Sequence, residues 1–284
     1  MLNVNNIQRL CFHDGPGIRT TVFLNFCTLN CPWCANPETS KYNKKYIINE
    51  NCNNEICPYG FECNGFKSTI EQLKSNYNNC PIEAIDKNEN LYSVDDLYDE
   101  LVKDKHLYKN VGGVTFSGGE PLIQAEELSK IIKKLKKDNI NITLESCLFV
   151  PIKNLNLIID DVDLFIIDIK ILNKIDCMKI LNGDIDLFLK NIDLIFKKNK
   201  KVIFRIPLIV PYIANEKNLN DIYRFISKFK PTCVEIFKGH NLAEQKYLKL
   251  KLNYDKVKTV SDEEIEKIKK YLEKCDVNVN IIKY

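Results

Sequence analysis

Residues 26–38 read FCTLNCPWCANPE and place three cysteines, Cys27, Cys31 and Cys34, within eight residues. Four thiolates complete the usual structural zinc site and bind every iron of an ordinary [4Fe-4S] cluster. No fourth cysteine follows at a matching interval, so this C-x3-C-x2-C stretch is one protein ligand short. Taken alone, the spacing suits part of a zinc site, or a four-cysteine cluster whose fourth ligand lies far away in the chain.

The composition is that of an ordinary globular protein. Of 284 residues, 45% are hydrophobic and 28% charged, with a formal net charge of +3. Interspersed charges of both signs do not form the basic footprint of a nucleic-acid-binding protein. The start, MLNVNNIQRL, has no signal-peptide apolar segment, and the longest apolar runs are too short to span a bilayer. We therefore expect a cytoplasmic protein without nucleic-acid or membrane partners.

The twelve cysteines indicate metal or redox chemistry. A disulfide framework is typical of short secreted chains, and this chain is neither short nor marked for export. Seven cysteines crowd the first third: Cys27, Cys31, Cys34, Cys52, Cys57, Cys63 and Cys80. The others are scattered, as buried small hydrophobic residues usually are: Cys11, Cys147, Cys177, Cys233 and Cys275.

Beyond residue 90, strand-like and helix-like segments alternate. The spacing of apolar residues predicts a helix from Ser93 to about Tyr108, and further helices over 124–137, 185–198, 216–229 and 261–274. Strands are predicted at 113–116, 140–144, 163–169, 202–207, 232–237 and 277–282, which favours a parallel α/β sheet with right-handed crossovers. Because 19–26 reads as one more strand, the cysteine triplet follows a strand's C-terminal end, where such sheets hold their chemistry.

Residues 41–90 interrupt this alternation. The segment is rich in Asn, Lys, Tyr and Cys and has little apolar surface to bury, so we expect a metal to hold it together. Its ending, Cys80-Pro81, resembles the close of a ferredoxin motif and favours an auxiliary 4Fe-4S cluster on Cys52, Cys57, Cys63 and Cys80. The spacings between the first three are looser than in ferredoxins, and a structural zinc site stays the alternative.

The run HDGPGIRTTVFLNFCTLNCPWCANPE (13–38) resembles the start of the glycyl-radical-enzyme activating enzymes of the pyruvate formate-lyase-activating-enzyme type. This family is a branch of the radical S-adenosylmethionine (SAM) superfamily. Four more segments match it in order: GGVTFSGGEPLIQAE (112–126), DLFIIDIK (163–170), KVIFRIPLIVPY (201–212) and VEIFKGHNLAEQKY (234–247). Each segment alone is a weak signal, but their shared order argues against coincidence.

The resemblance implies an α/β fold, a partial (β/α)6 radical SAM barrel. The barrel would begin in 1–40 with the site cluster loop, be interrupted at 41–90 by a ferredoxin-like segment, and continue through 91–284. In this family three cysteines bind three irons of a [4Fe-4S] cluster, and the fourth iron is left for SAM. Cys27, Cys31 and Cys34 are thus the implied catalytic ligands, and the missing fourth ligand becomes the cofactor.

Further cofactor contacts are implied at the ends of later strands. Gly118 and Gly119 would let backbone carbonyls approach the methionyl amino group, with Glu120 as an acceptor, while Lys170 would meet the methionyl carboxylate. The remaining implied contacts are Trp33, Arg205 and His240. The alternatives are an ordinary turn for the glycines, a solvated Lys170, and core positions for Trp33 and His240.

Two more sites follow from the resemblance. Glu145, Ser146 and Asp168 would hold a monovalent cation, since a hard cation relieves repulsion between two carboxylates. The family often has a glycine shortly after this strand end, whereas this chain has Leu148. The loop Asp14, Gly15, Pro16 and Gly17, followed by Arg19, would lie against the glycine loop of a partner enzyme, with an ordinary turn as the alternative.

The implied function is that of a radical SAM activase. An electron from a donor such as flavodoxin or ferredoxin reaches the site cluster, and reductive cleavage of SAM yields methionine and a 5′-deoxyadenosyl radical. That radical removes a hydrogen atom from a glycine Cα of a partner glycyl radical enzyme. One alternative is a radical SAM enzyme that modifies another peptide or a small molecule. A second is a non-enzymatic electron carrier or zinc-dependent binding module.

Overall fold

A computed structural model describes residues 1–39, 46–48, 52, 74–87, 90–109, 111–250, 252–254 and 256–283. The strands over these residues are β1 (Leu2–Cys11), β2 (Arg19–Leu24), β3 (Tyr46–Ile48), β4 (Ile85–Lys87), β5 (Asn90–Tyr92), β6 (Gly113–Gly118), β7 (Asn141–Ser146), β8 (Leu164–Asp168), β9 (Lys201–Val210), β10 (Cys233–Lys238), β11 (Lys258–Thr259) and β12 (Val279–Ile281).

The structure contains the α-helices α1 (Val94–Val102), α2 (Lys105–Tyr108), α3 (Ala125–Lys137), α4 (Ile152–Asn156), α5 (Lys174–Asp176), α6 (Ile185–Lys197), α7 (Glu216–Phe229), α8 (Glu244–Leu250) and α9 (Asp262–Glu273). Of the five longest, all but α3 begin at a residue whose side chain caps the helix. Ser93 accepts from the Asp96 N–H at the start of α1, and Ser261 forms a capping box with Glu264 at the start of α9.

The main sheet follows the order β12-β10-β9-β8-β7-β6-β2-β1-β5, with β11 paired to β9. From β2 through β6 to β12 the neighbours run parallel, whereas β1 and β5 are antiparallel additions at one edge. Helix α3 shows how the helices cover it, because Leu128, Ile131, Ile132 and Leu135 are fully buried. The predicted parallel α/β arrangement beyond residue 90 is confirmed.

Two features differ from the sequence prediction. No strand was predicted before residue 19, but β1 precedes β2 and pairs antiparallel with it. The helix expected from Ser93 to Tyr108 is interrupted between α1 and α2, at Asp104. The Asp104 carboxylate accepts from Thr20 Oγ1 at 2.7 Å and forms an ion pair with Arg9, which ties this break to β1 and β2.

Within 41–90, β3 pairs antiparallel with β4 in a two-stranded sheet separate from the main one. Cys52 and Cys80 both pack against Ile85. The predicted ligands Cys57 and Cys63 lie outside the described residues, and so does most of the predicted cluster segment.

In the part of the chain that the structure describes, no helix combines the length and apolar character that a bilayer crossing requires. The cytoplasmic location stays a prediction.

Candidate functional site

A cavity of about 1010 Å³ opens at the C-terminal ends of the parallel strands. It brings together most of the residues that the sequence singled out: Asp14, Cys27, Cys31, Trp33, Cys34, Gly118, Gly119, Glu145, Ser146, Asp168, Lys170, Arg205 and His240. The lining does not include Glu120, nor Gly15, Pro16 and Gly17, among the described residues. This volume is at the upper end of the range for small-molecule pockets, so it offers room for more than a small cofactor.

The cluster loop, residues 25–36, is clamped from the C-terminal half of the chain. Lys246 Nζ on α8 donates to Asn36 Oδ1 at 2.7 Å and forms an ion pair with Glu38 at 2.6 Å. The Trp33 ring packs 5.1 Å from the ring of Tyr212, centroid to centroid. Trp33 therefore both lines the cavity and anchors the loop.

The three cluster cysteines differ in acidity. Burial raises the pKa of Cys34 to about 11 and raises that of Cys31 further, whereas a hydrogen bond with Cys147 lowers the pKa of Cys27. The charge of the Lys170 ammonium opposes the effect of burial, because it favours the thiolate form and so lowers the pKa of each of the three thiols. Since thiolates are the metal-binding form, this cation favours the loaded state of the loop.

Lys170 itself remains charged. Burial alone would lower its pKa, but Asp168 and the nearby thiols raise it above the usual value, and its Nζ lies 2.8 Å from Asp168 Oδ2. Lys170 lines the cavity instead of reaching bulk solvent, which disfavours the solvated alternative.

The donor set fits a [4Fe-4S] cluster held by three cysteines. All three thiols face one cavity from one loop. A cluster takes one thiolate per iron, so three cysteines leave one iron for another ligand.

The glycines of the turn after β6 pack against the strand that leads to the cluster. A Cβ on Gly118 would lie 2.3 Å from Leu24 N, and one on Gly119 would lie 2.0 Å from Phe26 O. The Gly119 N–H donates to Leu24 O at 2.8 Å. These contacts join the turn to the cluster loop. The expected role of the two glycines in letting a ligand approach stays a prediction.

Glu120 occupies a different place from the one expected. Its carboxylate is fully buried and accepts hydrogen bonds from Ser146 Oγ at 2.9 Å, Leu122 N at 3.0 Å, Cys147 N at 2.9 Å and Leu148 N at 3.1 Å. Cys147 Sγ also lies 3.0 Å away. The carboxylate joins the β6 turn to the end of β7, and Glu120 is not among the residues that line the cavity.

Leu148 adopts a positive φ of 61° at the position where the related sequences often have glycine nearby. The backbone therefore keeps a left-handed, glycine-like turn. In this conformation the Leu148 N–H reaches both Glu120 and Ser146 Oγ, the latter at 2.9 Å. This chain therefore forms the left-handed turn with a leucine at this position.

The cavity carboxylates already have cationic partners. Arg205 Nη1 lies 2.5 Å from Glu145 Oε1, and its Nη2 donates to His13 O at 2.6 Å. Asp168 is paired with Lys170, and Ser146 Oγ faces Glu120 instead of Asp168. The repulsion that motivated a monovalent cation is thus relieved by Arg205 and Lys170, and the cation remains a prediction without support from this geometry.

The loop before β2 is held by a buried arginine. Arg19 is 0% exposed, and all its N–H groups have acceptors: Thr115 Oγ1 at 2.6 Å, Pro16 O at 3.1 Å, Val111 O at 3.3 Å, Val114 O at 2.8 Å, and Asn141 O and Oδ1 at 3.2 and 3.1 Å. Burial lowers its pKa to about 10, so it stays a cation at neutral pH. Asp14 is fixed as well, because its Oδ2 accepts from Thr21 Oγ1 at 2.6 Å.

Two walls of the cavity can therefore be distinguished. The cofactor wall consists of the cluster loop and the turn 117–120. The loop wall consists of Phe12, His13 and Asp14, which line the cavity, together with residues 15–18 and Arg19, which follow them in the chain.

Comparison with known proteins supports this picture. The family described as "4Fe-4S single cluster domain" matches residues 13–177. The indoleacetate decarboxylase activating enzyme of Tractidigestivibacter scatoligenes is 31% identical, over 96% of both chains. The trans-4-hydroxy-L-proline dehydratase activating enzyme of Clostridioides difficile is 33% identical, over 98% of both chains.

The chain belongs to the glycyl-radical-enzyme activating enzymes.

Solved structures agree on the fold. A domain of a pyruvate-formate lyase-activating enzyme from Bacteroides vulgatus superposes with a TM-score of 0.51 at 25% identity, over 61% of this chain and 99% of that one. SuiB of Streptococcus suis, solved with S-adenosylmethionine, superposes with a TM-score of 0.57 at 12% identity, over 90% of this chain and 48% of that one. The predicted partial radical SAM barrel is confirmed, and so are the activating-enzyme class and the presence of a 4Fe-4S cluster domain.

This activating enzyme also has site residues that sequence reasoning missed. Lys246 and Tyr247 clamp the cluster loop, with Tyr247 OH 3.4 Å from Pro32 O. Both lie in the segment 234–247 that resembles the family, so the sequence did contain a signal for them. The sequence contained no signal for Thr21 and Thr115, which hold Asp14, because their role depends on the pairing between β2 and β6.

Proposed function

We propose that this activating enzyme installs a glycyl radical in a partner of the decarboxylase or dehydratase type. One observation carries the proposal: the cluster cysteines and Asp14 of the loop wall line the same cavity. Chemistry from the cofactor wall and a peptide at the loop wall would therefore meet in one space. The related activating enzymes named above serve a decarboxylase and a dehydratase, which supports the same partner class.

Cys27, Cys31 and Cys34 would hold the site cluster. When bound, the cluster and SAM supply reductive carbon–sulfur cleavage and removal of a hydrogen atom from a glycine Cα. The residues proposed to contact the cofactor are Trp33, Gly118, Gly119, Lys170, Arg205 and His240, all of which line the cavity. For Glu120 we propose an indirect role, through the turn that it stabilises.

The protein's own contribution is placement and charge. Lys170 provides a buried cation that suits a carboxylate, and its pairing with Asp168 fixes its position. Arg205 connects the two walls, because it donates to the carbonyl of His13 in the loop wall and pairs with Glu145, whose carboxylate accepts from Ser117 Oγ in the turn 117–120. A cavity whose charged groups are fixed in this way holds two reactants in a set geometry and limits the access of water.

We propose that the inserted segment carries an auxiliary 4Fe-4S cluster on Cys52, Cys57, Cys63 and Cys80, which relays an electron from a flavodoxin or ferredoxin. The packing of Cys52 and Cys80 against the same residue, Ile85, supports their proximity. Iron and sulfide analysis of the anaerobically reconstituted protein tests this: about eight irons per chain supports two clusters, and about four contradicts the auxiliary one.

The main test is direct activation. The reconstituted protein is reduced anaerobically with SAM and each of a panel of purified glycyl radical decarboxylases and dehydratases, and a backbone glycyl radical is sought by electron paramagnetic resonance. We expect a radical in at least one partner, together with 5′-deoxyadenosine. Turnover of a small substrate with no radical in any partner would contradict the proposal.

A further inference from the structure

Two large apolar side chains stand exposed at the edge of the cavity. Leu10 is 53% exposed and Phe12 is 66% exposed, and both line the same cavity as the cluster cysteines. Exposed apolar residues are common singly, but a pair at the edge of a reaction cavity is typical of a binding surface. We call Leu10 and Phe12 the apolar lip.

The backbone conformation around Leu10 fixes the position of the apolar lip. Leu10 has a positive φ of 56°, and the β1–β2 register shifts between Gln8 and Cys11. Cys11, between the two lip residues, is buried and its Sγ donates to Gln8 O at 3.4 Å. This inward Cys11 leaves Leu10 and Phe12 directed outward. The left-handed conformation at Leu10 thus holds an apolar side chain at the surface of the cavity.

The lip also has a firm support. The loop that follows turns at Gly15 and Gly17, whose φ values are 124° and 72°, and Arg19 holds the carbonyl of Pro16. A Cβ on Gly17 would lie 2.6 Å from Gly112 N, so the loop is packed against the sheet. A rigid surface loses little entropy when it binds.

The chemistry of the lip points to its occupant. This inference rests on the proposed function, in which the reacting group is a glycine. A glycine has no side chain by which it can be held. The residues beside it must supply the contacts. Between Leu10 and Ile18 the only ionisable side chains besides Cys11 are His13 and Asp14, and the Asp14 carboxylate is engaged by Thr21. The surface therefore suits an uncharged, apolar segment.

We propose that Leu10 and Phe12 form the docking surface for the apolar residues that flank the reactive glycine in the partner enzyme's loop.

The experiment compares Leu10→Ser, Phe12→Ser and the double variant with wild type. The control is Ile175→Ser, because Ile175 is 76% exposed but does not line the cavity. Two quantities are measured on the reconstituted protein: glycyl radical formation as a function of partner concentration, and 5′-deoxyadenosine release under reduction without partner. Size-exclusion chromatography over a range of concentrations records the oligomeric state.

We expect the partner KM to rise about 10-fold to 100-fold in the double variant, as for loss of an interface hot spot. Partner-free cleavage, iron content and the control should match wild type, and Phe12→Leu should recover most of the affinity. An unchanged partner KM overturns the proposal, as does a parallel fall in partner-free cleavage. If wild type is a dimer that the lip variants dissociate and the control variant does not, the lip binds a second copy of this chain instead.

Failure of the proposed function looks different. If wild type forms a radical in no offered partner, the proposed function falls and the lip proposal falls with it. If wild type activates a partner and the lip variants do so equally well, only the lip proposal is lost.

Discussion

Two buried ionisable residues of opposite type, Glu120 and Arg19, hold the two walls of the cavity. In the cofactor wall the Glu120 carboxylate accepts from uncharged N–H, O–H and S–H groups at the end of β7 and in its own turn. In the loop wall the Arg19 guanidinium donates to uncharged carbonyl and hydroxyl oxygens. Charge-assisted hydrogen bonds are about twice as strong as neutral ones, so each ion joins several chain segments at once.

The difference lies in what each charge holds. Glu120 fixes a turn beside the cluster loop, whereas Arg19 fixes the glycine-containing loop across the cavity. Arg205 connects the walls through Glu145 and His13. Damage to the cofactor wall should therefore impair SAM chemistry, and damage to the loop wall should impair partner activation while SAM cleavage continues.

The largest expected effect is on the cofactor wall. Changing any of Cys27, Cys31 or Cys34 to Ala should abolish SAM cleavage and lower the iron content, because the site cluster has no spare protein ligand. Cys147→Ala is the matched control: it lines the same cavity and contacts Glu120, but we expect it to retain the cluster. The checks are iron analysis, the reduced-cluster spectrum with SAM, and 5′-deoxyadenosine release. Loss of cluster in Cys147→Ala would contradict the three-ligand assignment.

The second effect is on stability. Arg19→Met should lower the free energy of unfolding by about 3–5 kcal/mol, because it leaves several buried carbonyl groups without donors. Arg19→Lys keeps the charge with fewer donors and should lie between Met and wild type. Urea unfolding of the reconstituted protein measures both. A loss below 1 kcal/mol for Arg19→Met would show that the loop wall does not depend on this residue.

Much of the fold follows from local patterns. Helix α7 was predicted at its observed bounds, because its apolar residues recur at helical spacing after the capping residue Asn215. Strand β1 was missed because LNVNNIQRLC is rich in polar residues, and its existence depends on pairing with β2. The parallel pairing of the later strands was predicted, whereas the antiparallel edge was not.

The functional site likewise has features that follow from local sequence and features that depend on contacts between distant segments. Cysteine spacing alone identified an incomplete metal site, since neighbouring ligands lie in one short loop. The position of Glu120 could not be inferred, because its partners Ser146 and Cys147 belong to another strand. Arg19 was read as part of a partner-facing loop, yet it is fully buried, since its acceptors come from β6 and β7.

A matched pair of glycines sharpens the contrast between the walls. In Gly119→Ala the new Cβ would lie 2.0 Å from Phe26 O and push the turn away from the cluster loop. We expect a roughly 100-fold loss of SAM cleavage, the scale of an ångström misplacement near a reacting centre. In Gly17→Ala the Cβ would lie 2.6 Å from Gly112 N, at a φ of 72°.

Gly17→Ala should lower partner activation about as much, but leave partner-free SAM cleavage within about twofold of wild type. Both rates come from the same anaerobic samples, by paramagnetic resonance and product analysis. If both variants lose SAM cleavage equally, the walls are one unit and the contrast fails.

The smallest expected effect concerns Glu120. In Glu120→Gln the side chain keeps its size, but its amide nitrogen must face N–H and O–H groups that now donate to the carboxylate. We expect a loss of about 1–2 kcal/mol in unfolding free energy. SAM affinity should fall by roughly fivefold or less, because the substitution affects it only by loosening the turn. If the carboxylate instead contacted the methionyl ammonium group, Glu120→Gln would weaken SAM binding by more than about 10-fold with stability unchanged. Parallel urea titrations and SAM-binding measurements distinguish these outcomes, because a turn stabiliser must lower stability and affinity together.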